Sequence, residues 1–323
     1  MSDNYIYAVA RIRTLEMSLF NQSVIEQLAA TKSYKEALQF LTEKGWGSQE
    51  TDLSDGDAIL NIETEKTWQV IREMVSDMSV FDVITLPDLF HNLKAAIKTV
   101  AAGDTPAHIF YENAAISGQD MIDIIKEKNY RALPEYMQEC AQEAYDCLIH
   151  TGDGQMCDVI IDRATLNAIM EKGKQSGDEL FAQYAEATVA VADIKIAVRS
   201  AKTAKSMVFM KRAMAPCDTI NIDRLAKAAL SGMDDIMRYL SETVYASGVE
   251  SLAEGSSAFE RWCDNRIIET IRPQKYNSFT VGALAAYILA RLYEIKTVRI
   301  ILTGKQNGLP ESFIRERIRE TYV

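Results

Sequence analysis

Turn-forming residues are scarce in this chain, with 15 glycines and 6 prolines among 323 residues. So few of them cannot make the many tight turns that a protein of short strands requires, so long helices are expected. Alternation of apolar and polar residues, the mark of a half-buried strand, is absent throughout. Positive charge is also in short supply. The 35 Lys and Arg face 46 Asp and Glu, a formal net charge of −11, which argues against general attraction to nucleic acid or to an anionic membrane surface. The longest apolar run, residues 281–290, stops at Arg291 and is far short of the ~20 residues that cross a bilayer. The opening Met1-Ser2-Asp3-Asn4 lacks the charged and apolar regions of a signal peptide. No insertion into a membrane is expected.

Reactive residues are few and badly spaced for chemistry. The three histidines, His91, His108 and His150, do not pair at metal-ligand spacing. Cys147 and His150 lie one helical turn apart, but no second pair accompanies them. The five cysteines, Cys140, Cys147, Cys157, Cys217 and Cys263, form no CxxC and read as reduced thiols of a cytoplasmic protein. Gly173-Lys174-Gln175 and Gly304-Lys305-Gln306 look like the end of a phosphate-binding loop. That loop needs a glycine five residues before the second one and a Ser or Thr after the lysine. Here those places hold Ala168 with Gln175 and Arg299 with Gln306, so both matches fail. Gly152-Asp153-Gly154 lacks the acidic ladder of a calcium loop, and no nucleophile motif is present. The sequence offers no catalytic residue, cofactor or metal site.

What the chain does contain is a phrase written three times: Asn92-Leu93-Lys94, Asp193-Ile194-Lys195 and Glu294-Ile295-Lys296. The intervals 193 − 92 and 294 − 193 are both 101. Such a triplet arises by chance roughly once in a few hundred positions, so three copies at equal spacing indicate triplication. The surroundings repeat too. Leu86, Ala187 and Ile288 correspond, as do Phe90, Val191 and Leu292, then Ala96, Ala197 and Val298, then Val100, Ala201 and Leu302. With the Leu or Ile of the phrase these sites step by three or four and form one helical stripe. A period near a hundred residues suits a small domain better than a solenoid repeat. The expected architecture is all-α, three similar lobes at 1–115, 116–215 and 216–323, with the lobes free to borrow helices from one another.

Punctuation along the chain supports this. Gly45-Trp46-Gly47 breaks a helical pattern that runs through Val24, Leu28, Ala37, Leu38 and Leu41. Residues 52–55 offer N-caps for the segment that follows. Pro87 stands near the expected start of the first signature helix, which stops at Gly103-Asp104-Thr105-Pro106. Pro134 opens a helix, and Gly173 to Gly177 mark a pause. The second signature helix meets no early glycine and is expected to continue towards Met214 before Pro216. The third begins near Ser278 and ends at Gly304, and a short helix follows Pro310.

Cations in this acidic chain gather on the signature helices: Lys94 and Lys98, then Lys195, Arg199, Lys202 and Lys205, then Lys296 and Arg299. Around an approximate threefold axis they would line a shared basic surface. A solvated face balanced by nearby acids fits the same pattern.

Several strings resemble those of the C subunits of prokaryotic A-type and V-type ATPases, which are related to the d subunits of eukaryotes. They are Tyr7-Ala8-Val9-Ala10-Arg11-Ile12-Arg13, Asp88-Leu89-Phe90-His91-Asn92-Leu93-Lys94, the Asp193 copy, and Tyr293-Glu294-Ile295-Lys296-Thr297-Val298-Arg299 followed by Gly308-Leu309-Pro310. The similarity runs from end to end. It implies a funnel of three helical lobes about a pseudo-threefold axis, seated on the cytoplasmic face of the membrane rotor ring and holding the tip of the central shaft. It further implies a non-catalytic component, peripheral at the inner membrane face, that transmits torque for ATP-coupled H+ or Na+ transport. Asn92, Asp193 and Glu294 are then the repeated family positions, with contact to the shaft and support of each lobe both open as their role. Two other classes of reading are an enzyme with an unrecognised site in a cleft between lobes and an all-α scaffold unrelated to rotary ATPases.

Overall fold

The computed structural model describes residues 5–48, 52, 54–103 and 109–323. Among the described residues there are sixteen α-helices and no strand, as the lack of turn residues and of strand alternation demands. In chain order the helices are α1 (Ile6–Glu16), α2 (Gln22–Ala29), α3 (Tyr34–Glu43), α4 (Gly56–Arg72), α5 (Asp82–Ala102), α6 (Gly118–Lys126), α7 (Glu135–Thr151) and α8 (Gly154–Gln175). They continue with α9 (Glu179–Lys202), α10 (Met207–Ala213), α11 (Ile222–Ser231), α12 (Met233–Ser241), α13 (Gly248–Glu254), α14 (Ser256–Ile271), α15 (Val281–Gln306) and α16 (Glu311–Arg315). The three signature phrases lie on α5, α9 and α15. Two compact units result, one formed by Met1–Met78, Asp178–Leu180 and Ser247–Val323, the other by Ser79–Gly177 and Phe181–Ala246.

In the first unit α15 is the central element, packed by α1, α2, α3, α4, α14 and α16. Its buried Val298, Ile301 and Leu302 join Ile25, Leu28, Leu41, Trp46 and Ile59 in one core. Each side chain of that size contributes about 1.5–3 kcal/mol when fully withdrawn from water. Both ends of the chain therefore build this unit. Gly304 lies inside α15 because Ile314 of α16 presses on it: a Cβ there would stand 2.6 Å from Ile314 Cγ1. The next residue, Lys305, donates from Nζ to Ala29 O at 2.9 Å and to Thr31 O, so it closes the C-terminus of α2, where a cation is favoured.

In the second unit α7 and α8 form a hairpin. Gly152, at φ 69°, ends α7, and Asp153 caps α8 by accepting from Met156 N at 2.8 Å. Helix α5 packs on α6, α7 and α8, and α10 bridges α8 and α11.

Several boundaries differ from the sequence expectation. The helical spacing that ran unbroken from Val24 to Leu41 is two helices, because Ser33 caps α3 by accepting from Glu36 N at 3.2 Å. Pro87 is inside α5, not at its start; a 3-10 turn at Met78–Phe81 feeds the helix five residues earlier than proline would suggest. Gly103 ends α5 at φ 72°, while Asp104, Thr105 and Pro106 of the expected stop are outside the described residues, as are Met1 to Asn4, Leu53 and His108. Helix α9 does not continue to Met214. It stops at Lys202, Ala204 adopts φ 51°, and Ser206 starts α10 by accepting from Phe209 N at 3.2 Å. Gly173 is no pause: α8 runs through it, and the true stop is Gly177 at φ 69°.

Candidate functional site

The buried stripe is as the spacing demands. Leu86, Leu93 and Ala96 on α5, Ala187, Ile194 and Ala197 on α9, and Ile288, Ile295 and Val298 on α15 are all buried, whereas Leu292, Val100 and Ala201 are half-buried. Among these apolar neighbours sit the three polar signature residues, with Asn92 and Asp193 at 0 % exposure and Glu294 at 9 %. Such burial needs a partner.

The partner is the same kind of group each time. Tyr111 N donates to Asn92 Oδ1 at 2.8 Å, Ala215 N donates to Asp193 Oδ1 at 3.0 Å, and Phe20 N donates to Glu294 Oε1. Each donor precedes a short capped helix. Ser117 caps α6 through Asp120 N, Asn221 caps α11 through Arg224 N, and Asn21 caps α2 through Val24 N. Two of these helices bury the same positions after their caps, Met121, Ile122 and Ile125 against Leu225, Ala226 and Ala229, while α2 buries Ile25, Leu28 and Ala29 and matches them at the first and last. Thus the repeat is a long helix whose polar residue anchors the lead-in to a short one. The sequence reading had helical spacing at Val24 and Leu28 but did not connect the short helices to the signature residues. Three Ser or Asn caps before similar apolar spacings were the signal available.

The second polar atom of each signature residue is treated differently. Asn92 Nδ2 donates to Tyr111 O at 2.9 Å. Glu294 Oε2 accepts from Arg291, whose other arm donates to Glu63 of α4. Glu63 Oε1 in turn accepts from Gly47 N at 3.0 Å and Lys66 Nζ at 2.7 Å, and Trp46 stacks 4.6 Å from the Arg291 guanidinium. Burial opposes the Arg291 charge, but Glu294 and Glu63 outweigh it and hold its pKa above the usual arginine value. Sequence reasoning did not find Glu63 or its pairing with Arg291; only the abrupt arginine after residues 281–290 hinted at it. Asp193 Oδ2 has no hydrogen-bond partner. Burial pushes this carboxyl up to about 7.

The signature cations are mostly tied to acids on adjacent helices. Lys94 pairs with Asp162 and Lys98 with Asp158 at 2.7 Å, both across α5 and α8. Lys296 binds Asp264 at 2.7 Å, and Arg299 pairs with Asp57. Asp264 is buried and also accepts from Arg319 Nε at 2.8 Å. Burial alone would raise its pKa, yet Lys296 and Arg319 together hold it below the usual carboxylate value. For Lys94, Lys98, Lys296 and Arg299 the balanced face is the arrangement observed. Lys195 is half-buried, and Arg199 and Lys202 are exposed. Arg199 and Lys205 line a groove of about 390 Å³ with Asp158, Asp162 and Phe209.

The remaining chemical candidates have structural duties. His91 Nε2 is 2.9 Å from Ile109 O and its ring meets Tyr111 edge-on. His150 Nδ1 is 2.8 Å from Asp146 O. The cysteines are free thiols, and burial pushes Cys140 up to about 12. Asp88, whose burial raises its carboxyl to about 6 against the pull of His91, lies one turn before Asn92. No helix is long and apolar enough to cross a membrane among the described residues.

Comparison with known proteins agrees with the all-helical fold. The model of the family described as ATP synthase (C/AC39) subunit matches residues 8–317. The C subunit of the V-type sodium ATPase of Enterococcus hirae is 23% identical over 317 residues, spanning 96% of this chain and 97% of the relative. Anchored signature helices and a match over nearly the whole length lead to one conclusion: the chain belongs to the ATP synthase (C/AC39) subunit family, the C/d subunits of A/V-type ATPases.

Proposed function

We propose that this chain is the non-catalytic coupling piece of a rotary A/V-type ATPase, joining the central shaft to the membrane rotor ring and carrying torque between them. The observation that supports it is the anchor made three times, in which a buried side chain of a long helix holds the backbone ahead of a short helix. A part that transmits torque must resist shear. Dense helical packing and buried side chains that tie down backbone N–H groups supply that stiffness. Cross-helix pairs such as Lys98–Asp158 and Lys296–Asp264 brace the same helices from the surface.

In this reading the three segments 1–115, 116–215 and 216–323 are lobes about a pseudo-threefold axis. The chain sits at the cytoplasmic face of the membrane without entering it, and the ion, H+ or Na+, is selected in the ring. Arg199 and Lys202 are exposed on α9 and are the proposed contacts for a partner. The test is co-purification: purified chain used as bait is expected to bring down the shaft protein and the membrane ring. Failure to bind either one, with the bait folded by circular dichroism, contradicts the proposal.

A further inference from the structure

The segment that leads into α11 is fastened to α9 by two carboxylates seven residues apart on one face of that helix. Glu186 is saturated: Oε1 accepts from Thr219 N at 2.7 Å and from Thr219 Oγ1 at 2.5 Å, and Oε2 accepts from Asp218 N at 3.1 Å. Asp193 accepts Ala215 N on Oδ1 at 3.0 Å, and its Oδ2 is buried with no partner. A carboxylate enclosed this way would carry a charge relieved by a single hydrogen bond, with its second oxygen left unpaired and buried. The same chain shows what the position wants. At the equivalent place on α5 stands Asn92, a neutral group of the same shape, and at the equivalent place on α15 Glu294 is offset by Arg291.

We infer that Asp193 works as a neutral carboxylic acid, so that residues 214–219 are held to α9 by a clasp that closes with a proton and loosens without one. The charged and titratable groups facing it are Arg163 from α8, Glu186 from α9 itself and Cys217 from the clasped segment. Burial, the largest influence, and Glu186 favour the protonated acid, while the hydrogen bond from Ala215 N and the charge of Arg163 oppose them. Burial and the acids around it push Cys217 up to about 12, so the thiol stays neutral. When the clasp opens, Asp193 meets water and its pKa returns to the ordinary value. The closed form thus holds a proton that the open form releases. Its advantage is complete below the ordinary aspartate pKa and is lost as pH rises through about 7. What the proton controls is the attachment of the α11–α12 pair, whose Tyr239 hydroxyl accepts from Asn221 N at 2.8 Å.

The test is amide exchange at Ala215 in the full chain, with protection corrected for the intrinsic rate at each pH. Protection is expected to fall by about tenfold per pH unit between about pH 5 and pH 7, then level off. Asp193→Asn, which installs the amide already found at position 92, is expected to remove that slope. A flat profile in the unsubstituted chain, or an unchanged slope in Asp193→Asn, overturns the inference. Should the variant not fold, the carboxyl 13C shift of Asp193 in the unsubstituted chain decides: a midpoint near 7 supports the clasp, and one near the ordinary aspartate value rejects it.

Discussion

Asn92, Asp193 and Glu294 meet one requirement, a buried acceptor for a backbone N–H, by three chemistries. An unpaired buried N–H costs about 1–3 kcal/mol, so these positions must stay polar within an otherwise apolar stripe. That much was legible in the sequence, since an acid or amide recurred at a fixed place between Leu or Ile neighbours. The partners were not legible, because Tyr111, Ala215 and Phe20 contribute only their backbones. The Glu294 solution is the one most dependent on a single residue. Arg291 lies between Glu63 and Glu294, both buried. Arg291→Ala leaves two buried carboxylates without their shared cation and is expected to cost about 3–5 kcal/mol. Urea unfolding followed by circular dichroism measures it. A loss below about 1 kcal/mol would show that Lys66 and solvent suffice.

At the scale of elements, periodicity placed the long helices well and their ends less well. The stripe on α5, α9 and α15 has a strict three-and-four rhythm, and burial follows it. Breaks made without glycine or proline were invisible: α9 ends where Ala204, an ordinary residue, turns left-handed. The opposite error came from Gly173, read as a pause although it is helical. There the glycine serves packing, because an added Cβ would stand 2.4 Å from Ala185 Cβ and 2.9 Å from Phe181 O. Helix propensity alone predicts that Gly173→Ala gains about 1 kcal/mol. Crowding against fixed backbone predicts a loss of about 1–3 kcal/mol. The close approach decides for the loss, and thermal or urea denaturation of the variant gives the sign. A stabilised Gly173→Ala would mean that α8 and α9 move apart at little cost.

For the whole molecule, the positions of the three anchors were readable because one phrase kept its spacing. That the chain's two ends build one unit was not, since nothing in the sequence marks Phe20 as the partner of Glu294. The basic surface imagined from the signature cations gave way, at Lys94, Lys98, Lys296 and Arg299, to pairs with acids far away in sequence. Removal of the coupling piece proposed above should separate two activities that the complex joins. The measurement is ATP hydrolysis and ion uptake, made side by side on the rotary complex depleted of this chain and then resupplied with it. Depletion is expected to leave hydrolysis running while ion uptake stops, and the purified chain should restore uptake. Ion uptake that persists at full rate without the chain would contradict its role as the link.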